Sequence, residues 1–154
     1  MKKLTIFTAL ATVMLLNTAS FCSREDVQPV VLQDTELIKA SMMQGTWRVT
    51  YYSDHGQEET DHFTGYDFTF GADDLLSATN GANTYTGAWT LSTNKTDDET
   101  PSDPLDFNIV FAAPADFEDI SDDWDVVSRT ADKIVLQDVS DGGADVDNLT
   151  FEKN

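Results

Sequence analysis

The residues best able to do chemistry in this chain are carboxylates and two histidines. His55 and His62 stand seven residues apart in one loop with Asp54, Glu58, Glu59 and Asp61. Imidazole and carboxylate together suit zinc. Their spacing fits no helix or hairpin ligand pair, so the stretch reads as an exposed polar loop. Asp138, Asp141, Asp145 and Asp147 offer oxygens for calcium, but they lack the loop spacing and terminal glutamate of an EF-hand, and a solvated hairpin is the better reading. With 28 acids in the chain, carboxylate pairs arise by chance and make no case for a glycosidase. There is no Gly-x-Ser-x-Gly, no phosphate loop and no dinucleotide fingerprint. An enzyme needs a placed nucleophile, base or metal. The chain is read as non-catalytic, with no cofactor and no metal.

Aromatic side chains carry the rest of the binding capacity. Trp47, Tyr51, Tyr66, Phe68, Phe70, Tyr85, Trp89, Phe107 and Phe111 are candidate inward residues of a β domain. Two readings stay open. They fill the interior as a core, or some of them line a cavity for a small apolar ligand that tyrosine hydroxyls orient. The pocket candidates on the second reading are Tyr51, Tyr66, Phe68, Tyr85, Trp89, Phe107 and Phe111.

The charge limits the partners. A net charge of -19 repels phosphate backbones and anionic headgroups, which argues against nucleic acid as a partner. The acids are spread along the chain, as solubility at a cell surface would ask. Nine Phe, four Tyr and three Trp supply apolar surface for one core in 154 residues.

The first residues read as an address. Lys2-Lys3 precedes an apolar run from Leu4 to Leu16, then come Ala19, Ser20 and Cys22. Residues 1–21 read as a signal peptide, since the apolar run is short for a spanning helix. Cys22 is the one cysteine, so no intrachain disulfide forms. Residues 22–33 read as a flexible tether with Pro29.

Regular structure begins beyond the tether. Asp34 or Thr35 can cap a helix to about Gln44, with Leu37, Ile38 and Met42 on one side and Gly45 as its stop. Gly45-Thr46-Trp47 then opens a strand in which Trp47, Val49 and Tyr51 alternate with polar residues. Further alternating segments follow at 66–70, 75–79, 85–91, 105–111, 124–129, 133–138 and about 149–151, which makes eight strands. Asn80-Gly81 marks a tight hairpin. Residues 94–104 and 112–123 read as acidic connections. The pattern predicts an antiparallel sandwich or barrel.

Two resemblances add to this. The apolar run followed by Cys22 resembles the lipobox of bacterial lipoproteins, in which that cysteine is acylated. Cys22-Ser23-Arg24-Glu25-Asp26 is similar to the surface-export signal of Bacteroidota lipoproteins. Together they imply an outer-membrane lipoprotein, held in the cell envelope and exposed at the surface. The helix, Gly45-Thr46-Trp47, Gly87-Ala88-Trp89, Trp124-Asp125-Val126 and Leu149-Thr150-Phe151 resemble the small lipocalin-like lipoproteins of that group, over residues 34–154. That resemblance implies an all-β, eight-stranded antiparallel up-and-down barrel preceded by a short helix, with Gly45 and Trp47 closing one end. The Thr-Asp-Tyr motif of the main lipocalin family is missing. So is its arginine near the last strand, although Lys153 or Arg129 could cover Trp47. The expectation is a monomeric, non-catalytic module that binds a small apolar or amphipathic ligand. The alternative is a filled barrel whose acidic loops bind a partner protein or glycan.

Overall fold

A computed structural model of the chain describes residues 28–93, 105–140, 143 and 145–154. The signal, Cys22, most of the tether, the 94–104 connection and Asp141 lie outside them. Helix α1 spans Gln28–Met42. Nine strands follow: β1 Trp47–Asp54, β2 Gln57–Glu58, β3 Asp67–Phe70, β4 Leu75–Thr79, β5 Thr84–Thr93, β6 Leu105–Phe111, β7 Asp123–Arg129, β8 Lys133–Ser140 and β9 Asp145–Lys153. A 3-10 turn, Thr60–Phe63, precedes β3, and a one-turn helix α2, Ala115–Glu118, precedes β7. Neighbouring strands pair antiparallel in chain order from β3 to β9, and β9 pairs back onto β1. The expected eight-stranded up-and-down barrel is therefore present, with β2 as a short extra strand on β1.

The expected strand positions hold, and the reason is the two-residue period. Phe68 and Phe70, Leu76 and Ala78, Trp89 and Leu91, Phe107, Ile109 and Phe111, and Ile134 and Leu136 all point inward and are at most 3% exposed. One expectation along β1 is corrected. Tyr51 is 43% exposed, whereas Tyr52 is buried. Val49 faces Phe151 and Tyr51 faces Thr150, so Thr50 is an extra residue in the ladder. That β-bulge reverses the alternation and turns Tyr52 inward beside Leu149. A second bulge in β7 leaves Val127 on the surface.

The helix begins at Gln28, earlier than the cap expected at Asp34 or Thr35 and inside the stretch read as tether. Pro29 does not prevent this, because an amide in the first helical turn has no intrahelical acceptor to lose. Ile38 and Met42 face the barrel, but Leu37, expected beside them, is 57% exposed. Gly45 stops the run with φ +77°, a left-handed conformation that glycine adopts without strain.

Each end of the barrel is closed by its own set of residues. At the base, where α1 enters, the Trp47 indole N–H donates to the Met42 carbonyl at 2.8 Å. Trp89 donates likewise to Gly71 of the β3–β4 turn at 3.0 Å. At the rim, the turn at Phe63 and helix α2 fold over the opening. Trp124 donates to the Ile120 carbonyl at 3.1 Å, and Tyr52 donates its hydroxyl proton to the Asp119 carbonyl at 2.9 Å. An indole or phenol is cheap to bury only where its donor finds an acceptor, and these bonds also tie the closing segments to the strands.

Candidate functional site

The interior is the first place to look for a site. The Phe70 ring centroid lies 5.2 Å from Trp89, 5.6 Å from Phe107 and 5.4 Å from Phe151. Nearer the rim, Phe68 lies 5.2 Å from Phe151 and 5.8 Å from Phe117. Phe117, carried by α2, also meets Phe63, Tyr66, Tyr85 and Phe111 at 4.9–5.3 Å. Most of these pairs are edge-to-face or tilted, the favourable arrangement for aromatic quadrupoles. A fully buried ring of this kind contributes roughly 1.5–3 kcal/mol by area alone.

Six of the seven pocket candidates thus belong to one packed assembly. Phe68, Trp89, Phe107 and Phe111 are buried within it, and Tyr66 and Tyr85 are half-buried at its rim edge. Tyr51 lies on the outer surface. Phe117 was missed by sequence reasoning, which took 112–123 for an acidic connection. The available signal was the spacing of Phe117 and Ile120, two large apolar residues one helical turn apart in an acidic stretch.

The histidine loop and the acidic last hairpin, separate in the sequence, meet at the rim. His55 stands at φ +49° in the β1–β2 turn. Its backbone N–H donates to Asp147 Oδ1 at 2.7 Å. Its ring Nδ1 bonds the Asp54 carboxylate, and its Nε2 lies 2.8 Å from Asp145 Oδ2. The hydrogen bond with Asp54, then the charges of Asp145 and Asp54, hold the imidazole pKa above its ordinary 6.5. With a carboxylate on each ring nitrogen the imidazolium is the favoured form. Ligand atoms of Asp54, His55 and Asp147 lie within 4.8 Å of one another, close enough for one ion. When protonated, the histidine supplies a positive charge there. His62 stands apart, with Nδ1 3.9 Å from Glu59.

The base carries mixed charge, with Asp73, Asp74, Asp132 and Glu152 beside its cations. Every lysine and arginine among the described residues, namely Lys39, Arg48, Arg129, Lys133 and Lys153, lies there. Lys153 Nζ sits 5.0 Å from the Trp47 ring centroid and donates to the Ala131 carbonyl at 3.3 Å. Of the two cations expected to cover Trp47, Lys153 is the one over its ring face. Arg129 lines a cleft beside it. This cleft, about 250 Å³, lies between the end of α1 and the β7–β8 turn. Met42 is buried beneath it, whereas Met43 is 44% exposed.

Comparison with protein-family models, with curated proteins and with solved structures finds no match to the chain.

Proposed function

We propose that this chain is a lipid-anchored protein of the cell envelope whose barrel is a solid scaffold. Its function is non-catalytic binding of a partner protein through the acidic rim. The observation that carries the reading is Phe117. It occupies the mouth, in ring contact with Phe63, Tyr66, Phe68, Tyr85 and Phe111. A small apolar ligand entering there would have to expel that ring and detach α2 from Trp124 and Tyr52. The expense, about 1.5–3 kcal/mol for uncovering a buried phenylalanine, weighs against the ligand reading. The rim keeps what a binding surface needs: exposed Asp116, Glu118, Asp119, Asp122 and Asp123 around a rigid closure. Such a surface favours a partner presenting basic side chains.

Two measurements test this. In an NMR titration with a long-chain fatty acid and a retinoid, the ring signals of Phe68, Phe111 and Phe117 should stay in place. Saturable shifts of those rings would restore the hollow-barrel reading. For the anchor, Cys22→Ala should move the protein from the membrane to the soluble fraction, and unchanged partition would defeat the lipoprotein reading.

A further inference from the structure

We infer that Asn80 is a site of spontaneous chemical modification. Its side-chain amide closes onto the backbone nitrogen of Gly81 to give a succinimide, and water then opens that ring to isoaspartate or aspartate. The reaction needs only water, so the inference is independent of what the rim binds.

The β4–β5 hairpin presents the reacting atoms. Asn80, Gly81, Ala82 and Asn83 are all exposed, at the rim end of the barrel. Gly81 has no Cβ and no neighbour within 4 Å of where one would stand, so nothing crowds the attacking nitrogen. The Ala82 and Asn83 N–H groups donate to Asn80 Oδ1 at 3.1 Å and 2.8 Å. Two donors at that range polarise the amide carbonyl and hold the charge its oxygen takes on when Cγ becomes tetrahedral. The Gly81 N–H donates to Thr79 Oγ1 at 3.2 Å, a long bond that costs little to give up. The reacting groups belong to consecutive residues, so ring closure is an intramolecular step. Asn83, Asn108 and Asn148 are poorer candidates. Asn83 and Asn108 precede Thr84 and Ile109, whose branched Cβ atoms crowd the nitrogen. Asn148 is held at both ends of its amide, by Gln137 at 3.1 Å and Ser53 at 3.3 Å.

The step balances with water alone. Hydroxide takes the Gly81 amide proton, the bond from that nitrogen to Asn80 Cγ forms, and the side-chain nitrogen leaves as ammonia with a proton from water. Hydrolysis at Cγ then gives aspartate. Hydrolysis at the Asn80 main-chain carbonyl gives isoaspartate, whose backbone runs through Cγ. Either product adds a carboxylate at the rim. Isoaspartate also lengthens the turn and displaces the oxygen that the Ala82 and Asn83 N–H groups bond, next to the Thr79–Thr84 pair that ends the β4–β5 ladder. Tyr85, the following residue, lies 4.9 Å from Phe117, so the change reaches the neighbour of the ring that fills the mouth.

The test is incubation of the purified protein at mildly alkaline pH, followed by intact mass and by peptide mapping over β4 and β5. The expected result is the mass gain of one amide-to-acid conversion, located at Asn80. Isoaspartyl and aspartyl forms should separate as two peptides, preceded by a transient species lighter by one ammonia. Asn80→Gln should lose the gain over the same interval. Gly81→Ala should slow it about tenfold, since a methyl group then crowds the nitrogen. A free peptide of residues 77–86 sets the pace of the reaction outside the hairpin, and Asn80 in the folded protein should convert within the time that peptide takes. Asn80 still an amide when the peptide has fully converted, earlier conversion at another asparagine, or an unchanged rate in Asn80→Gln would overturn the inference.

Discussion

His55 has no neutral way to satisfy both of its ring nitrogens. Asp54 and Asp145 accept from the two sides, and the backbone N–H holds Asp147. The prediction concerns pH, and its sign follows from the direction of the shift. The folded pKa lies above the ordinary 6.5, so the protonated form is the one that folding favours. The stabilising contribution is complete below 6.5 and is lost as pH rises through the folded value. A proton NMR titration of the His55 ring should give a midpoint above 6.5. Amide exchange in the β8–β9 hairpin should quicken over the same interval, beyond its ordinary base-catalysed rise. A midpoint at or below 6.5 would mean that Asp54 and Asp145 do not favour the protonated ring. The reverse sign applies to an acid. Asp125 is pushed above its ordinary 3.8 by burial first and by Asp138 and Asp123 next. Its ionised form is therefore a burden at neutral pH. Asp125→Asn should raise the urea midpoint at pH 7, with no gain below pH 3.8. An equal gain at both pH values would point to packing instead of charge. Neither group was legible as special in the sequence. His55 was visible as a histidine among acids, but its partners Asp145 and Asp147 lie about 90 residues on, and only barrel closure joins them.

At the scale of elements, what was legible followed the period of each strand, and what was not followed its interruptions. Eight strands show in the alternation of large apolar side chains, because inward positions must be apolar whatever the neighbouring strand. Bulges break that rule without a sequence mark. Nothing in Trp-Arg-Val-Thr-Tyr-Tyr says that Thr50 is extra, so Tyr51 was expected inward where Tyr52 is. Helix α2 is a single turn, too short for a periodic signal, and its weight rests on Phe117. Phe117→Ala should cost about 3–5 kcal/mol in urea unfolding, since it empties the centre of an aromatic cluster. It should also expose Tyr52 and Trp124 to quenchers. A loss under 1 kcal/mol would mean that the cap is decorative. Gly87 tests the barrel wall in the other direction. A Cβ there would stand 2.3 Å from the Val110 carbonyl and 2.8 Å from the Phe111 ring. Part of that contact is backbone, so the wall must shift. Gly87→Ala should destabilise by about 1–3 kcal/mol although it adds one methyl. An unchanged midpoint would show that β5 and β6 separate freely at this point.

For the whole molecule the dominant quantity is charge. The chain carries twenty-eight acids against nine bases; among the described residues the five lysines and arginines lie at the base of the barrel, and the acids are spread over its base, walls and rim. Folding brings like charges closer than they stand in an extended chain, so self-repulsion subtracts from stability. Screening relieves it: the Debye length falls from about 10 Å at 0.1 M salt to about 3 Å at 1 M. The thermal midpoint should therefore climb steadily with sodium chloride over that range. Potassium chloride should behave identically, because the effect is one of ionic strength. Calcium chloride separates general screening from a specific ion at the rim. If the His55 imidazolium is the counter-charge for Asp54, Asp145 and Asp147, calcium at matched ionic strength should raise the midpoint no further than sodium does at pH 6. A larger calcium effect that grows as His55 loses its proton would mean that the metal takes the place of the proton. The rim would then be a cation site that the protonated histidine keeps closed.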